Sequence, residues 1–231
     1  MNICGYQKTT LLDYPGHVAA TIFTGGCNFR CPFCHNVDLL ENPKETSLIS
    51  EEEIFSFLRK RKNVLSGICI TGGEPCLQPD LQYFILKVRE LGYKIKLDTN
   101  GYHPSAIASL LEHNLLDYIA MDIKSGYSNY ASVSGIPNID INKIKKSVSI
   151  IEHSGIDYEF RTTVVRELHS EQDFYEISQM LSCDSPYFLQ SFVDSGNILS
   201  PGLSPCDIDT LNHYLSIVKN NIPNSSLRGI E

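Results

Sequence analysis

The sequence predicts an α/β protein built as an incomplete (β/α)6 barrel of the TIM type. Six short β-rich runs alternate strictly with segments of helical periodicity, a pattern that gives parallel strands joined by right-handed helical crossovers. Six such units fit within 231 residues, and no internal repeat or long linker divides them, so the chain reads as one domain over 1–231. No G-x-G-x-x-G follows the first run, which removes the usual mark of a dinucleotide-binding half. A doubly wound open sheet is the architectural alternative. In both architectures the chemistry belongs at the carboxyl ends of the strands.

The first sixteen residues, ending in Asp13-Tyr14-Pro15-Gly16, read as a hairpin or flap. The barrel core spans 17–192, and 193–231 reads as a loop and helix. The β-like runs are Val18–Phe23, Gly67–Thr71, Lys94–Asp98, Tyr118–Lys124, Tyr158–Val165 and Tyr187–Phe192, rich in Ile, Val, Tyr and Phe and close to Gly, Pro or Asn. Between them, Ser50 with Glu53 makes a capping box, and Arg59 to Lys62 place cations where a helix ends. Pro79 opens a helix whose stripe is Leu81, Phe84, Ile85, Val88 and Leu91, stopped by Gly92. Ile141, Ile144, Val148 and Ile151 repeat the pattern up to Gly155. Further helices are expected over Pro104–His113, Ser170–Leu181 and Asp207–Asn220.

With 19 basic and 27 acidic residues the formal charge is −8. That balance argues against a protein that tracks a nucleic-acid backbone. Apolar residues make up 42%, without the run of about 18 that a membrane span needs and without a signal peptide. The eight cysteines therefore belong to a reducing, cytoplasmic chain with some acting as metal ligands, rather than to a disulfide scaffold.

Three of them form a cluster. The first predicted strand runs into Thr24-Gly25-Gly26 and then Cys27-Asn28-Phe29-Arg30-Cys31-Pro32-Phe33-Cys34-His35-Asn36. Thiols at C-x3-C-x2-C spacing can converge on one soft metal centre. A [4Fe–4S] cluster needs four ligands, so three cysteines leave one iron open to an outside ligand. The competing reading is a structural zinc site formed with His35, although zinc sites usually draw on two separated pairs.

This loop, with the aromatic Phe33 before its last cysteine and LLDYPG upstream, resembles the radical S-adenosylmethionine (SAM) enzymes. Within them it is similar to the activating proteins of anaerobic ribonucleoside-triphosphate reductases, a family of glycyl-radical-enzyme activases. The resemblance runs from about Tyr6 to about Phe192. It implies a [4Fe–4S] cluster on Cys27, Cys31 and Cys34, with SAM chelating the open iron. It also implies a glycyl radical enzyme as protein substrate and a flavodoxin-like reductant.

Later strand ends carry further candidates. Gly72 and Gly73 let a ligand approach the backbone, and Glu74 can accept bonds from an ammonium group; the resemblance makes this the motif that binds the SAM amine. Asp98 and Thr99 follow the third run. Asp122 and Lys124 share a face by alternation. The resemblance implies that Lys124 meets the SAM carboxylate while Asp98, Thr99 and Asp122 help hold a monovalent cation; a structural ion-pair network is the other reading of Asp122. Glu159, Arg161 and Thr163 share a face, and the resemblance places Arg161 beside SAM and the backbone beyond it, at Thr163, beside the adenine. Gln190 and Phe192 are expected to close the far side. Pyruvate formate-lyase activases carry a His near there, and this chain has none.

Cys4, Cys69, Cys76, Cys183 and Cys206 have no mutual ligand spacing and read as packing residues. Cys76 follows the Gly-Gly-Glu-Pro turn and is a secondary candidate for lining the pocket. His103, His113, His153, His169 and His213 read as surface or cap residues. Two other functions stay open: a radical SAM enzyme acting on a small molecule, RNA or another glycyl radical enzyme, and a non-catalytic iron–sulfur or zinc protein.

Overall fold

The computed structural model describes residues 1–40 and 48–230. It contains two compact units, Met1–Asn28 with Asp38–Thr99 and Ser105–Ile119, and Phe29–Val37 with Asn100–Pro104 and Ala120–Glu231.

In the first unit, β1 (Ile3–Thr10) pairs antiparallel with β2 (Ala19–Thr24). Beyond it come β3 (Gly67–Gly72) and β4 (Lys94–Thr99), both parallel. The expected flap is thus a full edge strand. Its DYPG segment is structural: the Thr21 hydroxyl donates to Asp13, and the Tyr14 ring lies over Gly67, where a Cβ would come within 2.7 Å of it. Helix α1 (Glu51–Arg61) starts at the expected Ser50, whose hydroxyl accepts from Glu53 N at 3.2 Å, but the Glu53 carboxylate accepts from the Tyr6 hydroxyl at 3.3 Å in place of the expected capping box; the helix buries Ile54, Phe55 and Leu58. Helix α2 (Leu81–Glu90) buries Leu81, Phe84, Ile85 and Val88, with Pro79 standing just ahead of its cap, Asp80. Gly92 follows at φ +91°, the left-handed turn that glycine adopts without strain. Helix α3 covers Pro104–Glu112.

Strand β5 (Tyr118–Asp122) is divided between the units. In the second unit, β6 (Asp157–Val164), β7 (Tyr187–Ser191) and β8 (Ser225–Arg228) run parallel in chain order. Helix α5 (Ile141–Glu152) buries Ile144, Val148 and Ile151. Helices α6 (Glu171–Met180) and α7 (Ile208–Lys219) are joined by Phe174 stacked on Tyr214 at 4.4 Å. All six expected strands form. Two elements go beyond the sequence reading: a five-residue helix, α4 (Tyr130–Ser134), and β8. The chain after residue 192 therefore holds a strand as well as the expected loop and helix.

The surface-or-cap reading fails for His169. Its side chain is buried, with Nε2 2.9 Å from Lys124 O and Nδ1 accepting from Val165 N at 3.1 Å. Burial pushes its pKa below the ordinary imidazole value, against the upward pull of its bonds to Lys124 and Val165 and of the Asp173 charge. His103 is lowered too, by burial and then by Lys143. An imidazole whose folded pKa is depressed stabilises the fold above its unfolded pKa, and that contribution is lost as pH falls through the folded value. The urea midpoint is therefore expected to drop as pH falls below about 6.5. His169→Gln should flatten that slope; an unchanged slope would place the pH dependence elsewhere.

Candidate functional site

The loops after β2 and β3 are bonded backbone to backbone. Gly73 N donates to Thr24 O and Glu74 N to Gly26 O, both at 2.8 Å. A Cβ on Gly73 would lie 2.1 Å from Gly26 O, and one on Gly72, at φ +114°, 2.4 Å from Thr24 N. The glycines thus make room for the chain's own backbone. Gly26 N is tied to Leu39 O at 2.7 Å, Cys27 N to Leu40 O at 3.4 Å, and the Gln78 amide donates to Gly25 O at 2.8 Å. The first cysteine of the motif accordingly leaves β2 from a fixed backbone.

Glu74 is buried, and its Oε1 accepts from Cys76 N at 3.0 Å and from the Thr99 hydroxyl at 2.8 Å. Cys76 Sγ lies 3.6 Å from that same hydroxyl. Burial first, then the Glu74 carboxylate, pushes the Cys76 thiol well above its ordinary pKa. Asp98 is paired with Lys96, a buried residue of β4 that the sequence reading did not single out. Alternation could have found it, since Lys96 precedes Asp98 by two residues on a strand.

In the second unit the rest of the cysteine loop is seated on α4. Arg30 N donates to Ser134 O at 2.9 Å, and the Cys31 thiol points to the same carbonyl at 3.8 Å. Gly135 ends that helix at φ +70°, and a Cβ there would come 2.2 Å from Arg30 O. Cys34 N donates to Cys31 O at 3.0 Å, closing a tight turn around the buried Phe33. Ser200 N donates to Pro32 O at 2.9 Å, and His35 stacks on Phe192 at 5.4 Å with its Nε2 2.5 Å from Val193 O. His35 therefore anchors the segment after β7 to this loop, a role its place beside Cys34 does not reveal. None of the eight cysteines is tied up in a disulfide, as a thiolate-ligated cluster requires. Among the described residues no three His, Cys, Asp or Glu side chains are preassembled as a metal cage; such sites commonly complete themselves around the metal.

A string of charges lines the second unit. Lys124 Nζ lies 3.0 Å from Asp122 Oδ2 and above Phe33 at 5.9 Å. Arg161 Nε donates to Asp122 Oδ1 at 2.9 Å, and its Nη1 is 3.7 Å from Glu159 Oε1. Arg228, on β8, holds the buried Glu159 through two bonds of 2.9 Å and stacks over Phe188 at 3.7 Å. Burial alone would raise the Asp122 pKa, but Arg161 and then Lys124 hold it well below the carboxylate range. Burial would likewise lower that of Lys124, and Asp122 keeps it above the ordinary ammonium value. Both groups remain charged. Thr163, Gln190 and Arg228 are consecutive Cα partners across β6, β7 and β8, so they share a row. The four-residue β8 is too short for periodicity to reveal, and Arg228 was missed for that reason.

The cysteine loop follows β2, Glu74 follows β3 and Lys124 follows β5, the carboxyl ends of parallel strands where α/β enzymes place their chemistry. The model of the Radical SAM superfamily matches residues 21–181. The chain belongs to that superfamily, whose enzymes use a [4Fe–4S] cluster and SAM. It is 34% identical over 82% of its length to "Putative glycyl-radical enzyme activating enzyme MJ1227" of Methanocaldococcus jannaschii, covering 79% of that protein. It is 29% identical over 72% of its length to the pyruvate formate-lyase-activating enzyme of Clostridium pasteurianum, covering 70% of it. The crystal structure of Streptococcus suis SuiB bound to S-adenosylmethionine matches 89% of this chain with a TM-score of 0.66 at 16% identity, and the chain spans 48% of that longer protein. The last likeness shows the fold alone, and it agrees with the α/β partial barrel expected from the strand–helix alternation. Among the described residues no helix is long and apolar enough to cross a membrane.

Arg228→Gln should lower unfolding free energy by about 1–2 kcal/mol in urea, because the buried Glu159 loses two charge-assisted hydrogen bonds while Arg161 stays 3.7 Å away. Adding Glu159→Gln should return part of that loss. A double variant whose loss equals the sum of the two single losses would show that the side chains do not act together.

Proposed function

We propose that this chain is a glycyl-radical-enzyme activase whose protein substrate is an anaerobic ribonucleoside-triphosphate reductase. The observation that carries the reading is the loop Cys27 to Cys34, three thiols within eight residues at the end of the first parallel strand, in a chain related over most of its length to activating enzymes.

When bound, a reduced cluster with SAM would supply the radical chemistry for abstracting a Cα hydrogen atom from one glycine of the partner. The chain's residues bind, orient and shield. Cys27, Cys31 and Cys34 would each hold one iron, leaving the fourth for the amino and carboxylate groups of SAM. Glu74 presents a buried carboxylate to the SAM ammonium. Lys124, kept charged by Asp122, meets the SAM carboxylate, and Phe33 covers it from the cysteine side. Arg161 and Thr163 on β6, with Gln190 on β7, receive the rest of the nucleoside. No side chain need donate or accept a proton in hydrogen-atom abstraction, which fits a chain without a nucleophile–base pair among these residues. A flavodoxin-like protein is the reductant the reading calls for, and a cytoplasmic location suits its free thiols.

Anaerobically reconstituted protein should contain iron and sulfide and yield 5′-deoxyadenosine from SAM and dithionite. Cys31→Ala should lose the visible absorption, and retained colour and iron would refute its place as a ligand. Lys124→Ala should weaken SAM binding about tenfold or more while sparing the cluster, the scale of one charge-assisted hydrogen bond. Mixed with an anaerobic ribonucleoside-triphosphate reductase, the wild type should generate a glycyl radical by electron paramagnetic resonance. A radical formed only on a pyruvate formate-lyase would reassign the partner.

A further inference from the structure

The carboxylates that the family resemblance would lend to a monovalent metal ion are already answered by cations of the chain itself. On β4 the Lys96 side chain is 2% exposed and its ammonium is paired with Asp98 Oδ1. Its other neighbours are Cys69 Sγ at 3.9 Å and the face of Tyr118, 5.8 Å to the ring centroid. The register explains how so long a side chain fits: Thr21, Cys69 and Lys96 are successive Cα partners across β2, β3 and β4, and two small residues beside the lysine leave it room. In the second unit, Asp122 gives Oδ1 to Arg161 and Oδ2 to Lys124.

We propose that the Lys96 ammonium is a built-in cation at Asp98, taking the place of a sodium or potassium ion, so that the fold does not require an alkali ion there. A buried carboxylate must be neutralised or paired, and a tethered ammonium meets that need at an effective concentration that a dissolved ion has to outcompete. A second cation on the same carboxylate would also meet the repulsion of the first in a medium of low dielectric. A lysine fixed by its own strand is therefore the stronger partner. The extension to SAM binding rests on the function proposed above; the statement about the fold does not.

The test compares melting of the protein in choline, sodium, potassium and rubidium chlorides at equal ionic strength. The wild type should melt at the same temperature in all four, and crystals grown with rubidium should show no anomalous peak at Asp98. Saturable stabilisation of the wild type by an alkali ion, or a rubidium peak on that carboxylate, would overturn the proposal. Lys96→Met should melt lower in choline and recover saturably with an alkali ion, as a ligand that binds only the folded state requires. Lys96→Met/Asp98→Asn, with the carboxylate gone, should show no such response. A folded Lys96→Met protein indifferent to every alkali ion would also count against it. If Lys96→Met does not fold, the wild-type melting and rubidium results decide alone. For the reconstituted wild type, the SAM dissociation constant should agree within about twofold between choline and potassium, a coupling factor near one. Absence of SAM binding in every salt would instead sink the proposed function and leave the melting result standing.

Discussion

Charge drawn largely out of water has to be paired, and the strand ends of this protein are built under that constraint. Lys96 pairs with Asp98 on β4. Arg161 and Lys124 pair with Asp122, and Arg228 with Glu159. Each pair costs desolvation that a hydrophobic pair would not, so such a set adds little to stability for its size. Its use is to keep several charged groups in fixed places. At Asp122, two cations hold the carboxyl well below the usual range.

Backbone contact is the second requirement, and glycine meets it. Gly73 lies so close to Gly26 O that a methyl group would sit 2.1 Å from it, and Gly135 is as close to Arg30 O, at 2.2 Å. The two ends of the cysteine motif are thus each fixed by main-chain bonds, one to the turn after β3 and one to the last carbonyl of α4. A loop that must present three thiols to one cluster cannot depend on side-chain packing alone, because its side chains are the ligands. Alanine at either glycine would push the backbone out of place even though neither glycine touches a cofactor.

Much of this was legible in the sequence. Runs rich in Ile, Val, Tyr and Phe locate β2 to β7, apolar stripes locate the longer helices because each buries one face, and Ser50 and Gly92 mark helix ends. The cysteine loop, Glu74, Lys124 and Arg161 stand out because their chemistry is costly anywhere but at a site. Other features were hidden for identifiable reasons. Helix α4 has five residues and β8 four, each shorter than the window in which a period shows. The main-chain approaches at Gly72 and Gly73 were hidden because sequence cannot say which backbone comes close. His169 looked like a loop histidine, and only the fold reveals that it bridges Lys124 and Val165. Lys96 sat within a strand pattern beside Lys94, which is more exposed and bonds to Asp117 instead.

The central claim is that the cysteine loop and the charged strand ends serve a single cofactor pair. The most direct test is an anaerobic crystal structure of the reconstituted protein with SAM. The account predicts a four-iron cluster held by Cys27, Cys31 and Cys34 alone, SAM on the fourth iron, and the SAM carboxylate against Lys124. A fourth protein ligand on the cluster, or SAM bound away from Lys124 and Glu74, would contradict it.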